Sequence, residues 1–409
     1  MKFTSRSAVL STLMCAVSLA HAADEWYLCT TDLKITSIRS PSIQNGILTY
    51  LDQRGMNQSK PIDETFFVLP SQQPEDWAYE FDGSGEHAIL TLTDQQRLPV
   101  LIQESDDLDL IRFITPFESA ARSVPIESID HLLVGWIPTG SRVESDDDVI
   151  RLNSNDLITG FVESISDVVV IETDEAVRSF PIDQVNLIQL AIDPIEIDGV
   201  YIHLDRHIRL AVSDLITTDS DIGSGTVLQL NRAHPERPPS RPTRFTFDSQ
   251  RFAGVDVEHT RLDMVPLASR LPQSVNPTGS RSWTPDPQTH ASSIPNSGLD
   301  DLDLRAPSEI RYSLDRNTTR FACNAELVVG PWSDCILQIL AGSSSSEPSV
   351  IHSVRLNSET SGSQILIDLP DTADELIIRI DPGINGPIQD RIILRQPRLL
   401  IEEISPKFE

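Results

Sequence analysis

The stretch "RSVPIESIDHLLV" (residues 122–134) recurs almost unchanged as "RSFPIDQVNLIQL" (178–190). Both stretches carry Arg-Ser, one apolar residue, and then Pro-Ile and an acid. A third stretch, "SKPIDETFFVL" (59–69), places Pro61, Ile62 and Asp63 in the same order. Self-similarity along a chain indicates a repeat architecture in which each copy is one supersecondary unit. The recurrence therefore favours a folding role for these residues over a role in a catalytic site.

A similar pattern of strands precedes each proline element. Before Pro181, apolar residues alternate around 149–152, and a polar turn at 153–156 separates them from further strand-like segments. Period-two alternation broken by Asn, Asp and Ser clusters is typical of short antiparallel strands. The first unit is loosely patterned, and the fourth is degenerate, with Thr246 where the others have proline. We predict four units, at 26–70, 86–136, 147–192 and 198–260.

Four or five short strands that end in a proline turn before the last strand resemble small SH3-like or Sm-like barrels. In those barrels a single helical turn joins the last two strands. Proline suits the first position of such a turn because its φ angle is already fixed and its missing N–H is not needed. The acid two residues later is expected to face the unpaired N–H groups of the turn. The alternative is that a β-rich chain reuses proline turns by chance.

The composition changes after the fourth unit. Residues 261–281 are rich in Pro and Ser and lack apolar periodicity, which predicts a linker or a long surface wrap. From 282 to 404 the alternation returns, for example at Ile365, Ile367 and Leu369. About eight strands of this kind predict a two-sheet β-sandwich.

The C-terminal region carries a longer pattern of its own. Its positions are Gly298, Leu299, Ser308, Ile310, Tyr312, Leu314, Phe321, Ala322, Leu376, Ile378, Asp390, Pro397 and Leu399. With these residues the region 282–402 resembles the NPCBM family of carbohydrate-binding modules, which is found in secreted proteins. The resemblance implies a galactose-binding-like jelly roll and a sugar ligand. The sequence departs from it at Arg305, Asn324 and Leu394, where the family often has His, Gly and Trp.

Two residues of this region are candidate carbohydrate contacts. Trp332, in "VGPWSDC", offers the flat aromatic surface on which sugar rings stack, and its alternative role is packing in a core or against a loop. Asp390 matches a family position and either touches ligand or fixes a loop.

The N-terminal residues 1–22 have the three-part plan of a signal peptide. Lys2 and Arg6 precede an apolar run, and small residues follow at Ala20 and Ala22. We therefore predict export, to the periplasm or the exterior. No later stretch approaches the roughly 20 apolar residues of a membrane-spanning helix, so no transmembrane segment is predicted.

Three cysteines remain when Cys15 leaves with the signal peptide. An oxidising compartment would allow a disulfide between Cys323 and Cys335, and the alternative is two buried thiols. The state of Cys29 stays open, because it would be free or would pair with another chain.

The formal net charge of −29 bears on partners and cofactors. Such a surface repels nucleic acid, so DNA and RNA are excluded as partners. Acid runs at 104–109 and 144–148 would allow a structural calcium ion, but they lack the spacing of a calcium-binding loop and are better explained as solvated turns. His203 and His207 flank a hairpin turn and are not predicted to be metal ligands. No cofactor is predicted.

No catalytic motif is found: the sequence lacks a G-x-S-x-G elbow, a phosphate-binding loop, a CxxC pair and an HExxH pair. We therefore predict an all-β, non-catalytic protein in which tandem small barrels carry a carbohydrate-binding-like sandwich. Its expected partner is an extracellular or envelope polysaccharide. One alternative is a protein-interaction scaffold of the cell envelope that has no sugar site, and another is a hydrolase that these motifs do not detect.

Overall fold

The structure is a computed structural model, and the all-β fold class predicted from the sequence is confirmed. The predicted signal peptide, His207, Glu144 and residues 228–242 of the fourth unit, which include the Pro-rich stretch "HPERPPSRP", lie outside the described residues. The structure describes residues 25–71, 88–115, 121–134, 143, 145–193, 195, 199–204, 208–216, 222–227, 243–248, 252–278, 283–294, 297–343, 347–386 and 390–402.

Twenty strands in the described residues before 260 form four five-stranded units. The first unit has β1 (Trp26–Thr30), β2 (Ile35–Gln44), β3 (Ile47–Leu51), β4 (Asn57–Pro61) and β5 (Thr65–Pro70). The second has β6 (Ala88–Leu92), β7 (Arg97–Gln103), β8 (Leu110–Ile114), β9 (Arg122–Pro125) and β10 (Ile129–Leu133). The third has β11 (Asp148–Leu152), β12 (Leu157–Ile165), β13 (Val168–Glu172), β14 (Val177–Pro181) and β15 (Val185–Gln189). The fourth has β16 (Gly199–Leu204), β17 (Ile208–Ile216), β18 (Ile222–Val227), β19 (Thr243–Asp248) and β20 (Phe252–Glu258).

All four units have the same strand pairing. The first four strands form an antiparallel meander, and the fifth strand returns to pair with the first, as β5 does with β1 and β20 does with β16. The ladder along the second strand of the first, third and fourth units shifts near its middle, at Arg39/Ser42 in β2. Such a shift bends the strand. The first part of β2 pairs with β1, and its later part pairs with β3.

The Pro-Ile-acid elements form single turns of 3₁₀ helix between the fourth and fifth strands, as predicted. The turns span Ile62–Glu64, Ile126–Ser128 and Ile182–Gln184, and each follows a proline with φ between −53° and −62°. The acid lies in the first turn, as Asp63, Glu127 or Asp183, and the proline before it makes no side-chain hydrogen bond to the turn. The proline and the backbone bonds described next define the turn.

Two backbone hydrogen bonds recur at these turns. The amide of the isoleucine after the proline donates to the carbonyl of Gly46, Asp109 or Asp167 (2.8–3.0 Å), which lies in the turn between the second and third strands. The carbonyl of the last residue of each 3₁₀ turn accepts from the residue that follows the first strand (2.9–3.0 Å). Each proline element therefore joins the first two of the three hairpin turns of its own unit.

The hairpin turn between the first and second strands is also repeated. Leu33, Gln95 and Asn155 hold the same position in it, each with φ between 64° and 69°. In these three units the amide of this residue donates to the carbonyl at the end of the first strand (2.7–2.9 Å). A left-handed conformation at three non-glycine residues is uncommon, and its recurrence indicates a common turn geometry.

The units are joined through their last strands. β5 pairs with β20, where Val68 is opposite Val255, and β10 pairs with β15, where Leu132 is opposite Ile188. The first unit thus joins the fourth, and the second joins the third. β17 adds pairings to β2 and β7. One continuous apolar core runs through all four units and includes Leu28, Leu90, Ile150 and Ile202.

The C-terminal strands form a two-sheet sandwich. Its strands are β21 (Leu262–Pro266), β22 (Ser274–Pro277), β23 (Gln288–His290), β24 (Asp301–Arg305), β25 (Ser308–Ser313), β26 (Thr318–Leu327), β27 (Asp334–Gly342), β28 (Ser349–Asn357), β29 (Gly362–Asp368), β30 (Glu375–Pro382) and β31 (Arg391–Glu402). One sheet has the order β23-β24-β31-β26-β29, with β21 also paired to β31, and the other has the order β22-β25-β30-β27-β28. Their inner faces share one core that contains Tyr312, Phe321 and Leu394.

The structure corrects the prediction that residues 261–281 form a linker. β21 pairs with β31 over Leu262–Pro266, and β22 pairs with β25 over Ser274–Pro277, so this segment supplies a strand to each sheet. Prolines are tolerated there because β22 is an edge strand and Pro266 ends β21. The Pro- and Ser-rich composition therefore belongs to edge strands and to the turns between them.

The structure also corrects the prediction of a disulfide between Cys323 and Cys335, because both are free, buried thiols. Cys323 lies in β26 and Cys335 in β27, which belong to opposite sheets of the sandwich. Packed sheets lie about 10 Å apart, whereas a disulfide requires Cα atoms within about 7 Å. Burial raises the pKa of each thiol to about 12.

Cys29 is also a free, buried thiol, at the contact between the first unit and the sandwich. A third apolar cluster forms this contact and includes Leu33, Phe67, Ile294 and Leu400. Arg398 of β31 is 3% exposed, and its guanidinium donates through Nε (3.0 Å) and Nη2 to the carbonyl of Leu33. The hairpin turn of the first unit is therefore a docking point for the sandwich.

We expect Arg398→Ala to lower the free energy of unfolding by about 1–3 kcal/mol, because the buried carbonyl of Leu33 loses its side-chain donors. Calorimetric melting of the full chain checks this. Arg112→Ala is the matched control, since Arg112 is exposed on β8. Equal melting temperatures for the two variants would contradict the docking role of Arg398.

We expect alkylation of the denatured, unreduced protein to label Cys29, Cys323 and Cys335, because all three are free thiols. Peptide mass spectrometry measures the labelling. In the native protein the same thiols are expected to react slowly, because burial disfavours the reactive thiolate. Recovery of a peptide pair linked through Cys323 and Cys335 would contradict the arrangement of the two sheets.

Candidate functional site

Three loops of the sandwich meet at one end, here called the loop end. They are residues 328–333 between β26 and β27, residues 383–390 between β30 and β31, and the step from β24 to β25 at Ala306. The amide of Val328 donates to the carbonyl of Arg391 (2.9 Å), and the amide of Ala306 donates to the carbonyl of Asp390 (3.0 Å). The start of β31 is therefore the common support of these loops.

Asp390 lies beneath the loop end. It is 4% exposed, and its Oδ1 accepts a hydrogen bond from the amide of Asp334 (2.9 Å). A carboxylate buried in this way holds backbone rather than ligand. Of the two roles left open by the sequence for Asp390, the geometry favours fixing a loop.

Asp334 organises the other side of the loop end, and sequence reasoning missed it. Its carboxylate accepts from Arg355 Nε (2.8 Å) and Nη2 (2.7 Å) and from the amide of Ile384 (3.0 Å). The hydrogen bond from Arg355 is the main cause that lowers the pKa of Asp334. Gly383 is required here, because a Cβ atom at that position would lie 2.3 Å from the Asp334 carboxyl carbon.

Trp332 stands on the outside of this support. Its side chain is exposed, and its carbonyl accepts from Asn385 Nδ2 (3.4 Å). Val329 of the same loop and Ile384 of the neighbouring loop are also exposed. This exposure does not fit the alternative that Trp332 packs in a core, and the ring is accessible to solvent.

A second exposed tryptophan, Trp283, lines a cleft of about 390 Å³ beside β23 and β24. The cleft also contains Pro285, Asp286, Gln288, Asp303 and Arg305. Arg305 ends β24 opposite Arg391, which begins β31, so this cleft lies at the loop end as well. Sequence reasoning missed Trp283, and the available signal was a tryptophan within a Pro-rich segment.

The charges in this cleft are of two kinds. Asp303 is tied to Arg391 through Nε (2.9 Å) and Nη2 (2.6 Å) and approaches His290 (3.4 Å). Burial opposes ionisation of Asp303, but these partners outweigh it and lower the pKa of the carboxyl. Arg305, in contrast, is exposed and makes no hydrogen bond or ion pair with the part of the chain that the structure describes. Asp303 is thus a lining residue held in place by its ion pair, and the guanidinium of Arg305 is an available donor.

The acid runs considered for calcium have other contacts in the structure. Asp107 Oδ1 accepts from the amide of Asp109 (3.1 Å), and the Asp148 carboxylate accepts from the amides of Val162 (2.8 Å) and Ala191 (2.7 Å). Within the described ranges no group of three His, Cys, Asp or Glu residues is placed to hold a metal ion. In the same ranges, no helix has the length and hydropathy needed to cross a bilayer.

Comparison with known proteins gives structural likenesses at low identity. No family model matches the chain, and no curated protein sequence is similar to it. A CBM51 module of a Clostridium perfringens GH95 protein, solved with methyl-galactose, is 14% identical with a TM-score of 0.27, over 34% of this chain and 99% of that one. Tandem CBM51 modules of a Streptococcus pneumoniae family 98 glycoside hydrolase are 12% identical with a TM-score of 0.27, over 62% and 88%. A Clostridium stercorarium family 6 module, solved with cellobiose, is 8% identical with a TM-score of 0.21, over 35% and 94%.

These three structures are carbohydrate-binding modules by name. Their TM-scores are too low to carry an argument about this chain. The two-sheet fold of residues 262–402 rests instead on its own strand pairings.

We expect Asp390→Ala to lower the free energy of unfolding by about 1–3 kcal/mol, because the buried amide of Asp334 loses its acceptor. Asp390→Asn keeps a carbonyl oxygen at this position and should cost less. Thermal melting compares the two variants. An unchanged melting temperature for Asp390→Ala would contradict the loop-fixing role.

Proposed function

We propose that this protein is exported and binds extracellular or envelope polysaccharide, without catalysis, through the loop end of its C-terminal sandwich. The observation that carries the proposal is the pair of exposed tryptophans there, Trp283 (71% exposed) and Trp332 (57%). The residue pattern that resembles the NPCBM family supports the same function.

The chemistry of the loop end suits a sugar. The C–H faces of a pyranose ring are apolar and stack on an aromatic plane, while its hydroxyl groups need hydrogen-bonding partners nearby. Trp283 supplies such a plane, and Gln288, Asp286 and Arg305 supply partners in the same cleft. An exposed indole beside polar groups gains contact area when a sugar covers it.

A binding role is favoured over catalysis by the state of the loop-end acids. The pKa values of Asp303 and Asp334 lie below the usual range, because arginine partners stabilise their charged forms. A general acid for glycoside cleavage needs a raised pKa, so that it still holds its proton near neutral pH. These carboxylates are thus poorly suited to that role.

One surface favours a second candidate function, a contact with an envelope protein. On the third unit, Phe161 is opposite Glu172, which is opposite Val177, so the two apolar side chains lie in one row. Phe161 (66%), Val177 (56%) and nearby Leu157 (51%) are exposed. A group of exposed apolar side chains suits a protein partner.

Binding of the full chain to a glycan array, followed by titration calorimetry on each sugar that binds, tests the main proposal. We expect Trp283→Ala or Trp332→Ala to weaken binding about tenfold or more, because each removes a stacking surface. Phe161→Ala is the matched control, since it removes an equally exposed aromatic ring from the third unit and should leave sugar binding unchanged.

Absence of glycan binding would overturn the main proposal. If, in addition, the protein captured an envelope protein in pull-down experiments and Phe161→Ala abolished the capture, the second candidate function would replace it.

A further inference from the structure

A second cleft, of about 530 Å³, lies where the first, second and fourth units meet the sandwich. Its volume falls within the range of roughly 300–1,000 Å³ that is typical of small-molecule sites. Its apolar lining comes from β5 and β21 and includes Phe67, Leu69 and Met264. Its polar lining includes Arg97, His203, Asp256, Glu258 and His259.

The strand alternation explains why charged residues face this cleft. In β20, Val255 and Val257 point into the core of the four units. Asp256 and Glu258 therefore point to the opposite face. Asp256 is opposite Phe67 of β5, which brings an apolar and a charged side chain together at the cleft.

Most of these charges are already paired. Arg209 donates to Asp256 (2.6 Å) and to Glu258, and His203 contacts the other oxygen of Asp256. Burial alone would raise the pKa of Asp256, but His203 and Arg209 outweigh it and lower that pKa. The Arg209 guanidinium also lies 4.0 Å from the centroid of the Tyr201 ring and donates to the carbonyl of Gln95 (3.2 Å).

Arg97 is the exception. It lies opposite Arg209 where β7 pairs with β17, and its side chain lines the cleft and is partly buried. It makes no hydrogen bond or ion pair with any residue that the structure describes. Burial, together with the charge of Arg209, lowers the pKa of Arg97. A partly buried cation beside a second cation is destabilised until an anion compensates it.

We propose that this cleft binds a small organic carboxylate, with Arg97 as the cation that meets the carboxylate group. A planar guanidinium matches a carboxylate through two parallel hydrogen bonds. The apolar lining by Phe67, Leu69 and Met264 accommodates the carbon skeleton. The proposal concerns a different site from the loop end and does not depend on the proposed function.

The other acids that line the cleft limit the negative charge that a ligand can carry. Arg209 is shared between Asp256 and Glu258, and both Glu258 (51% exposed) and Asp263 lie where water screens their charges. One available guanidinium near these acids suits a monoanion better than a doubly charged phosphate. A carboxylate is therefore the expected ligand group.

The test is titration calorimetry and thermal melting of the full chain that carries Trp283→Ala and Trp332→Ala, so that the loop end cannot contribute. The probes are D-galacturonate, benzoate and acetate, with D-galactose and benzamide as uncharged matches and inorganic phosphate as the dianion. We expect at least one carboxylate to bind and to raise the melting temperature, and its uncharged match to bind at least tenfold more weakly.

Arg97→Gln should weaken carboxylate binding roughly ten- to a hundredfold, because a charge-assisted hydrogen bond is lost. Arg112→Gln removes an exposed cation from the same unit and should leave binding unchanged. Thermal melting of unliganded Arg97→Gln should show no loss of stability, since Arg97 has no partner among the described residues to lose. The proposal is overturned if no carboxylate binds, if phosphate binds more tightly than the carboxylates, or if Arg97→Gln binds as well as Arg112→Gln.

Discussion

The hydrogen bond from the isoleucine amide after each proline is the interaction on which the first three units depend. It ties the 3₁₀ turn to the loop between the second and third strands, at Gly46, Asp109 and Asp167 in successive units. The carbonyl at the other end of the turn binds the hairpin between the first and second strands. The direction of the fifth strand is thereby set, and it pairs with the first strand of its unit and with the fifth strand of another.

The hairpin turns of two units also receive an arginine from elsewhere in the chain. The carbonyl of Leu33 accepts from Arg398 of the sandwich, and the carbonyl of Gln95, at the same position in the second unit, accepts from Arg209 of the fourth. A left-handed residue turns its carbonyl away from the strand ladder, and a guanidinium can then reach it. The repeated turn thus supplies contacts between units as well as the shape of each unit.

Local features were predictable from the sequence, and long-range ones were not. The proline turns followed from Pro61, Pro125 and Pro181, because proline fixes φ whatever lies around it. The pairing of β5 with β20 depends on residues far apart in the chain and has no local signal. At the loop end, Trp332 was predictable as an aromatic residue in a loop. Trp283 and the strands of 261–281 were missed, because edge strands rich in Pro and Ser have the composition of a linker.

The joining of the first unit to the fourth has a consequence for synthesis of the chain. β5 leaves the ribosome long before β20, its neighbour in the finished sheet. Until β20 emerges, one edge of β5 is unpaired, with Phe66, Phe67, Val68 and Leu69 in sequence, and open edges of this kind promote aggregation. The order of synthesis therefore leaves that edge open until the fourth unit is made.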